Sequence, residues 1–285
     1  MAKLPHMDPD LAAKHQRLRR FRRVPVRVLL PNIITLLALV CGLTSIRFAL
    51  EAKFEFAVAA IIIAGVLDAL DGRIARLLKS ATRFGAELDS LTDFVNFGVA
   101  PAIVLYLWAL QDLKAIGWIV VMALSLCCVL RLARFNIALD DPDKPAWQAN
   151  YFMGVPAPAG AALALLPMFL TFLGGLDKAY AGFVLLLYVP VVAFLMVSRV
   201  PTFSGKLIGQ RVRREVVAPF LIIAVLFAAL VASYPWGMLS LLALVYLCSL
   251  PISAWRYRKL EEQYEGTDEA QESDKDNQEP SIDIY

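Results

Sequence analysis

Apolar residues fall in long blocks along this chain, separated by short polar stretches. Eight blocks of about 20 residues stand out, at roughly 30–49, 55–76, 92–111, 116–136, 157–176, 179–198, 216–234 and 236–253. A helix of about 20 apolar residues matches the thickness of a bilayer's hydrocarbon core. The pattern predicts an all-α fold: a polytopic transmembrane helical bundle of about eight spans. The connections are short, so neighbouring spans pack antiparallel. Composition agrees, because 59% of the 285 residues are hydrophobic and the mean hydropathy is +0.62. A water-soluble domain of this size needs more polar surface than that leaves.

Charge orients the bundle. The stretch before the first block carries Lys14, Arg17, Arg19, Arg20, Arg22, Arg23 and Arg27. Basic segments flanking spans stay on the cytoplasmic side. Every second connection is then basic again: Lys79 and Arg83, then Arg131, Arg134 and Lys144, then Arg199, Lys206, Arg211, Arg213 and Arg214, and finally Arg256, Arg258 and Lys259. The opposite side holds only Arg47, Lys53, Lys114 and Lys178, so all but four of the 28 Lys and Arg share one side. Both termini are expected to be cytoplasmic.

Three regions follow. Residues 1–26 read as a basic cytoplasmic arm that serves as a topology signal and is attracted to anionic headgroups. Residues 27–255 form the transmembrane domain, and the acidic 256–285 reads as a disordered tail. The first block is long and lacks a small-residue cleavage site, so a cleavable signal peptide is not expected. Cys41, Cys127, Cys128 and Cys248 all lie in apolar blocks, where thiols act as inert hydrophobes.

The chemistry concentrates in residues 65–98, GVLDALDGRIARLLKSATRFGAELDSLTDFVNFG. A carboxylate inside a membrane helix costs at least a few kcal/mol, about 3 at the helix centre. Here there are four. Asp68 and Asp71 are three apart, Asp89 and Asp93 four apart, so each pair shares a helix face. Both pairs lie near the same membrane surface on consecutive antiparallel helices, facing across one seam. Anions that close take up protons or bind cations. An all-oxygen ligand set suits Mg²⁺ or Mn²⁺, with Ca²⁺ possible; zinc does not fit, because His6 and His15 lie far away in the arm. Gly72 falls on the face of Asp68 and Asp71 and lets a bulky ligand approach, as Gly85 does four residues before Asp89. Arg76 lies on the same side, where it can pair with phosphate. Two other readings stand beside the metal site: aspartates paired with Arg73, Arg76 and Arg83 to hold helices together, or an ion or proton pathway.

From Asp68 to Asp93 the chain reads D-x2-D-G-x2-A-R-x8-G-x3-D-x3-D. This resembles the signature of the CDP-alcohol phosphotransferase family at every motif position. The resemblance implies that Asp68, Asp71 and Asp89 bind two divalent ions, Mg²⁺ or Mn²⁺. It implies that Asp93 completes the metal site and is the catalytic base. It also implies that Gly72, Arg76 and Gly85 contact the CDP moiety, that Thr82 lies near the nucleotide phosphates, and that Pro31 and Asn32 lie against the nucleotide. LDSLTDFVNFGVAPA (88–102), RLARFN (131–136), FMGVPAPAGA (152–161) and MVSRVPTFSGK (196–206) resemble the phosphatidylserine synthase branch. Asn96 stands where many of that branch have Ser, in the region of the acceptor pocket.

The reaction so implied joins CDP-diacylglycerol and L-serine to give phosphatidylserine and CMP by direct in-line attack. With no usable His and no exposed Cys, an aspartate is the base beside the cluster. Arg131 and Arg134, three apart at the cytoplasmic end of the fourth span, are candidates for the serine carboxylate or a lipid phosphate; snorkelling is their bland alternative. Ser204-Gly205-Lys206 resembles the end of a P-loop but lacks the upstream glycines. The same chemistry with glycerol phosphate, inositol phosphate or choline, and an ion-coupled transporter, are competing readings. The expected setting is the inner (cell) membrane, with the active site facing the cytoplasm, a homodimer, membrane lipids as partners and no nucleic acid.

Overall fold

A computed structural model describes residues 26–139, 151–203 and 214–276. The basic arm up to residue 25, Lys144, the Ser204-Gly205-Lys206 segment and residues 277–285 lie outside them. Helix α1 spans Val26–Leu50, α2 Phe54–Leu77 and α3 Arg83–Asp93. A π-helical segment, Phe94–Val99, leads into α4 (Ala100–Leu105), and a second, Tyr106–Leu110, leads through the 3₁₀ turn Gln111–Leu113 into α5 (Lys114–Leu139). Then come α6 (Ala157–Ala164), α7 (Leu166–Phe172), α8 (Lys178–Val197), α9 (Arg214–Ser233) and α10 (Pro235–Asp276).

Among the described residues, four helical stretches are long and apolar enough to cross a membrane: Arg27–Leu50, Arg83–Ala138, Lys178–Val197 and Pro235–Tyr257. The second of these has 56 residues, about 84 Å if straight, well over twice a bilayer core. It therefore folds back. Lys114, at φ 51, breaks the helix after the 3₁₀ turn, and α5 packs against the preceding segments. Helix α2 matches the four in length but carries Glu55, Asp68, Asp71, Arg73 and Arg76. The fifth apolar block is split at Leu165 into α6 and α7, where Pro167 has no N–H to continue the helical ladder.

Packing follows the chain. Helix α1 lies along α2, α5 along α8, and α10 against α6 and α7. Leu105, Leu124, Met168, Phe169 and Leu185 form the fully buried core. Leu37, Val40, Ile119, Leu187, Phe194 and Val225 are exposed. A continuous apolar exterior of this kind fits hydrocarbon, where each helix satisfies its own backbone.

The helical fold expected from the apolar blocks is present, with one small addition: β1 (Tyr151–Met153) and β2 (Pro201–Phe203) pair antiparallel, with Phe152 opposite Thr202. Gly154, Pro156 and Pro201 hold these segments extended at helix ends, and two extended segments side by side satisfy each other's backbone. Helix α10 runs past the last apolar block to Asp276. This stretch has no Pro and is rich in Glu, and a helix already nucleated in the membrane extends at low cost.

Gly154 is the tightest point of the β1–β2 corner. It sits at φ +79, and a Cβ there would lie 2.5 Å from the Met196 carbonyl oxygen and 2.9 Å from that of Ser198. Gly154→Ala is expected to cost about 2 kcal/mol and to lower the Tm of the detergent-solubilised protein by about 5 °C. An unchanged Tm would show that the corner is not so constrained.

Candidate functional site

The site is built on the reversal between α2 and α3. Lys79 takes a left-handed φ of 48, and the Leu78 and Ser80 amides bond back to the Ile74 and Ala75 carbonyls. Thr82 then caps α3, its hydroxyl accepting from the Gly85 amide at 3.0 Å. This turn sets the two aspartate-bearing faces opposite each other. Carboxylate oxygens of Asp68, Asp71 and Asp89 all lie within 4.8 Å of one another. Asp93, one helical turn beyond Asp89, meets the Asp68 carboxyl, and its own Oδ1 is buried without a hydrogen-bond partner among the described residues.

No cationic side chain is ion-paired to this group among the described residues, where the ion pairs join Glu51 to Arg47 and Lys53, in the connection after α1. Arg76 instead turns its Nε to the Gly72 carbonyl at 3.1 Å and is exposed. Arg73 lines an apolar groove. The helix-clamping ion pairs with Arg73, Arg76 and Arg83 are thus not formed. Two ionised carboxylates 4.8 Å apart repel by about 3 kcal/mol at an effective dielectric of ~20. Three or four together call for cations. The donors are all oxygens, from two helices, with no nitrogen or sulfur in the set; that chemistry fits a hard divalent ion of the Mg²⁺ or Mn²⁺ type.

The residues expected beside a nucleotide gather next to the carboxylates. A Cβ on Gly85 would sit 3.0 Å from Asn32 Oδ1 and 3.2 Å from Thr82 Oγ1, so the start of α1, the reversal and the start of α3 meet at one point. Pro31 is buried one residue earlier. One turn further along α1, Thr35 donates its hydroxyl to Asp71 Oδ2, which joins this end of α1 to the aspartates. Gly72 faces open space: a Cβ added there would meet nothing within 4 Å.

The remaining three candidates separate. Arg131 is 8% exposed, stacks over Phe135 at 5.2 Å and leaves its Nε without a partner among the described residues. It faces Asp93 and, from α10, Tyr246, whose hydroxyl lies beside Thr202. Arg134 points outward and donates to the Val197 carbonyl, closing the end of α8. Asn96 is fully buried against Gly42 of α1, away from the aspartates, with neither amide atom partnered among the described residues. The π-helical segment explains its direction. Pro101 offers no N–H to the Phe97 carbonyl, the Ala100 amide reaches back to Val95, and residues three apart no longer share a face.

Sequence reasoning missed Thr35, Thr202 and Tyr246. A threonine four residues after Pro31 reads as ordinary back-bonding to a helix carbonyl, and its Pro31 contact at 3.1 Å is indeed present. Only the packing of α1 on α2 reveals the second partner. The resemblance placed Thr82 only near the nucleotide phosphates; that it also caps α3 comes from the structure.

Comparison with known proteins agrees with this geometry. Residues 28–198 match the model of a family described as CDP-alcohol phosphatidyltransferase, and residues 215–251 match a second model, CDP-alcohol phosphatidyltransferase 2. The chain is 42% identical over 243 residues to CDP-diacylglycerol–serine O-phosphatidyltransferase of Mycobacterium leprae (strain TN), covering 85% of this chain and 79% of that protein. It is 34% identical over 224 residues to the protein of the same name from Helicobacter pylori (strain J99), covering 77% and 88%. It is 30% identical over 181 residues to archaetidylserine synthase of Methanothermobacter thermautotrophicus, covering 63% and 71%. With the aspartate signature folded into one oxygen-lined cluster, and with the first family model spanning well over half of its length, the chain belongs to the CDP-alcohol phosphatidyltransferase family.

Proposed function

We propose that this chain transfers the phosphatidyl group of CDP-diacylglycerol to L-serine, releasing CMP, with Asp93 as the proton acceptor. The observation that carries the reading is the meeting of Asp68, Asp71 and Asp89 at one point, with Asp93 against Asp68, in a chain whose relatives bear the serine transferase name. Asp68, Asp71, Asp89 and Asp93 would hold two divalent ions, which when bound would supply neutralisation of the diphosphate and of the charge on departing CMP. Every other part of the step belongs to side chains.

Asn32, Thr82 and Gly85 receive the cytidine end, and the bare face at Gly72 lets the diphosphate come close to α2. Arg76, exposed one turn on, has its terminal nitrogens available for phosphate. An apolar groove of about 420 Å³ runs along α2 past Gly65 and Ala69, against Phe97, Ala161 and Phe169, with Arg73 also lining it. It suits an acyl chain of the lipid donor. The Arg131 guanidinium, buried beside Asp93, holds the serine carboxylate and brings the serine hydroxyl to Asp93. Asp93 takes the hydroxyl proton through its unpartnered oxygen. The serine oxygen then attacks the phosphorus that carries diacylglycerol, in line with the bond to CMP. Arg134 and Asn96 act differently from Arg131: one caps α8, the other packs α4's lead-in against α1.

The same reading has eight spans in the inner membrane, with both termini and the aspartates on the cytoplasmic side and with the chain working as a homodimer. The support is that the eight apolar blocks lie mostly on helix and that the basic residues crowd one set of connections. Residues 27–255 form the catalytic membrane domain, between the arm and the acidic extension.

Purified protein is expected to release CMP from CDP-diacylglycerol only when both serine and a divalent ion are supplied. Release driven equally well by glycerol phosphate or inositol phosphate would assign a different acceptor. Asp93→Asn is expected to lower kcat by about 10²–10⁴-fold. Full turnover by that variant would remove Asp93 from its role. Gly72→Ala meets no atom within 4 Å and gains about 0.5–1 kcal/mol of helix propensity, so its Tm should not fall. Its kcat/KM for CDP-diacylglycerol should nonetheless drop at least tenfold, because the methyl fills the ligand's approach; an unchanged value would place the diphosphate elsewhere.

A further inference from the structure

Thr35 is 4% exposed, buried on the face of α1 that packs along α2. Its Oγ1 lies 3.1 Å from the Pro31 carbonyl oxygen and in contact with Asp71 Oδ2. A hydroxyl has one proton to give. The Pro31 carbonyl already stands in line for the Thr35 backbone amide in the helical ladder, while a carboxylate oxygen is the stronger acceptor. The proton therefore goes to Asp71. A β-branched side chain in a helix has few χ1 choices, so the oxygen that holds Asp71 is itself held by α1. Asp71 is also only 4% exposed, and water cannot substitute freely for the threonine.

We infer that Thr35 is the positioning residue of Asp71: it fixes one carboxylate oxygen from the neighbouring helix, so that the other is presented to a divalent ion shared with Asp68 and Asp89. This rests on reading those three aspartates as ligands of a divalent ion, and it adds a third helix to a ligand set otherwise supplied by α2 and α3. It also gives α1 a second task. The helix that brings Asn32 to Gly85 and Thr82 also sets the angle of a metal-binding carboxylate, so nucleotide and ion are registered against the same element. Removing a hydrogen bond that orients a ligating group typically weakens metal affinity by about 10–100-fold.

The test is a Mn²⁺ titration of metal-freed, full-length protein in detergent, with free Mn²⁺ read by electron paramagnetic resonance. Thr35→Val keeps the shape and removes the hydroxyl; Thr35→Ala removes it with a different packing change; Thr35→Ser restores it. Both hydroxyl-free variants are expected to bind Mn²⁺ about 10–100-fold more weakly, and Thr35→Ser within about threefold of the unaltered chain. The metal-free Tm of Thr35→Ser and of one hydroxyl-free variant should match the unaltered chain, which a merely structural threonine does not predict together with lost affinity. Asp71→Asn separates the two levels of the argument. If the unaltered chain fails to bind Mn²⁺, or Asp71→Asn binds it as well as the unaltered chain, the metal reading itself falls. If Asp71→Asn binds weakly but Thr35→Val and Thr35→Ala bind normally, only the role of Thr35 is overturned.

Discussion

Gathering acidic side chains between apolar helices is the constraint on which this molecule turns. Oxygens of Asp68, Asp71 and Asp89 come within 4.8 Å of one another, with Asp93 touching Asp68 and no ion pair to any of the four among the described residues. Helix packing alone does not explain this, since apolar residues at the same positions would pack without the repulsion. The arrangement makes sense as a receptor for positive charge. The rest of the fold keeps the two faces opposed: a left-handed Lys79 and a Thr82 cap reverse the chain, and α1 lies along α2 to close one side of the seam.

The surroundings divide the labour of a transfer reaction between helices. The beginning of α1 and the beginning of α3 converge on Gly85, the open face of α2 at Gly72 leads away from it, and the apolar groove continues along α2. A molecule with a polar nucleotide at one end and a lipid at the other matches this succession of surfaces. On the far side of Asp93, Arg131 arrives from α5 with its Nε unfilled among the described residues. Tyr246 and Thr202 stand behind it, contributed by the last helix and by β2. The small β1–β2 pair and α10, peripheral by position, thereby back the buried Arg131.

Much of this was legible in the amino-acid order, and what was hidden has definite physical reasons. The spacings of the aspartates place them on shared faces whatever the tertiary structure, because α2 and α3 are regular where those residues lie. Asn96 escaped that logic, because Pro101 forces a π-helical turn between it and the regular helix and re-aims it at Gly42. Arg131 and Arg134 share a spacing that suggests common work, yet one is buried beside Asp93 and the other caps α8; only the packing of α5 on α8 separates them. Thr35 was hidden for the opposite reason. Its local carbonyl contact accounts for it fully within one helix, and the bond to Asp71 exists only once α1 meets α2. The split of the fifth apolar block at Pro167 and the run of α10 to Asp276 are likewise local effects that hydropathy blocks do not register.

If shared cations are what make four membrane-embedded carboxylates tolerable, the metal content of the protein reports it directly. Protein equilibrated with Mn²⁺, freed of unbound ion by gel filtration and analysed by elemental mass spectrometry should carry about two ions per chain, the number set by such carboxylate-bridged transfer sites. The same preparation with Asp68, Asp71 and Asp89 all changed to asparagine should carry none. Equal metal content in the two preparations, or none in either, would contradict the account.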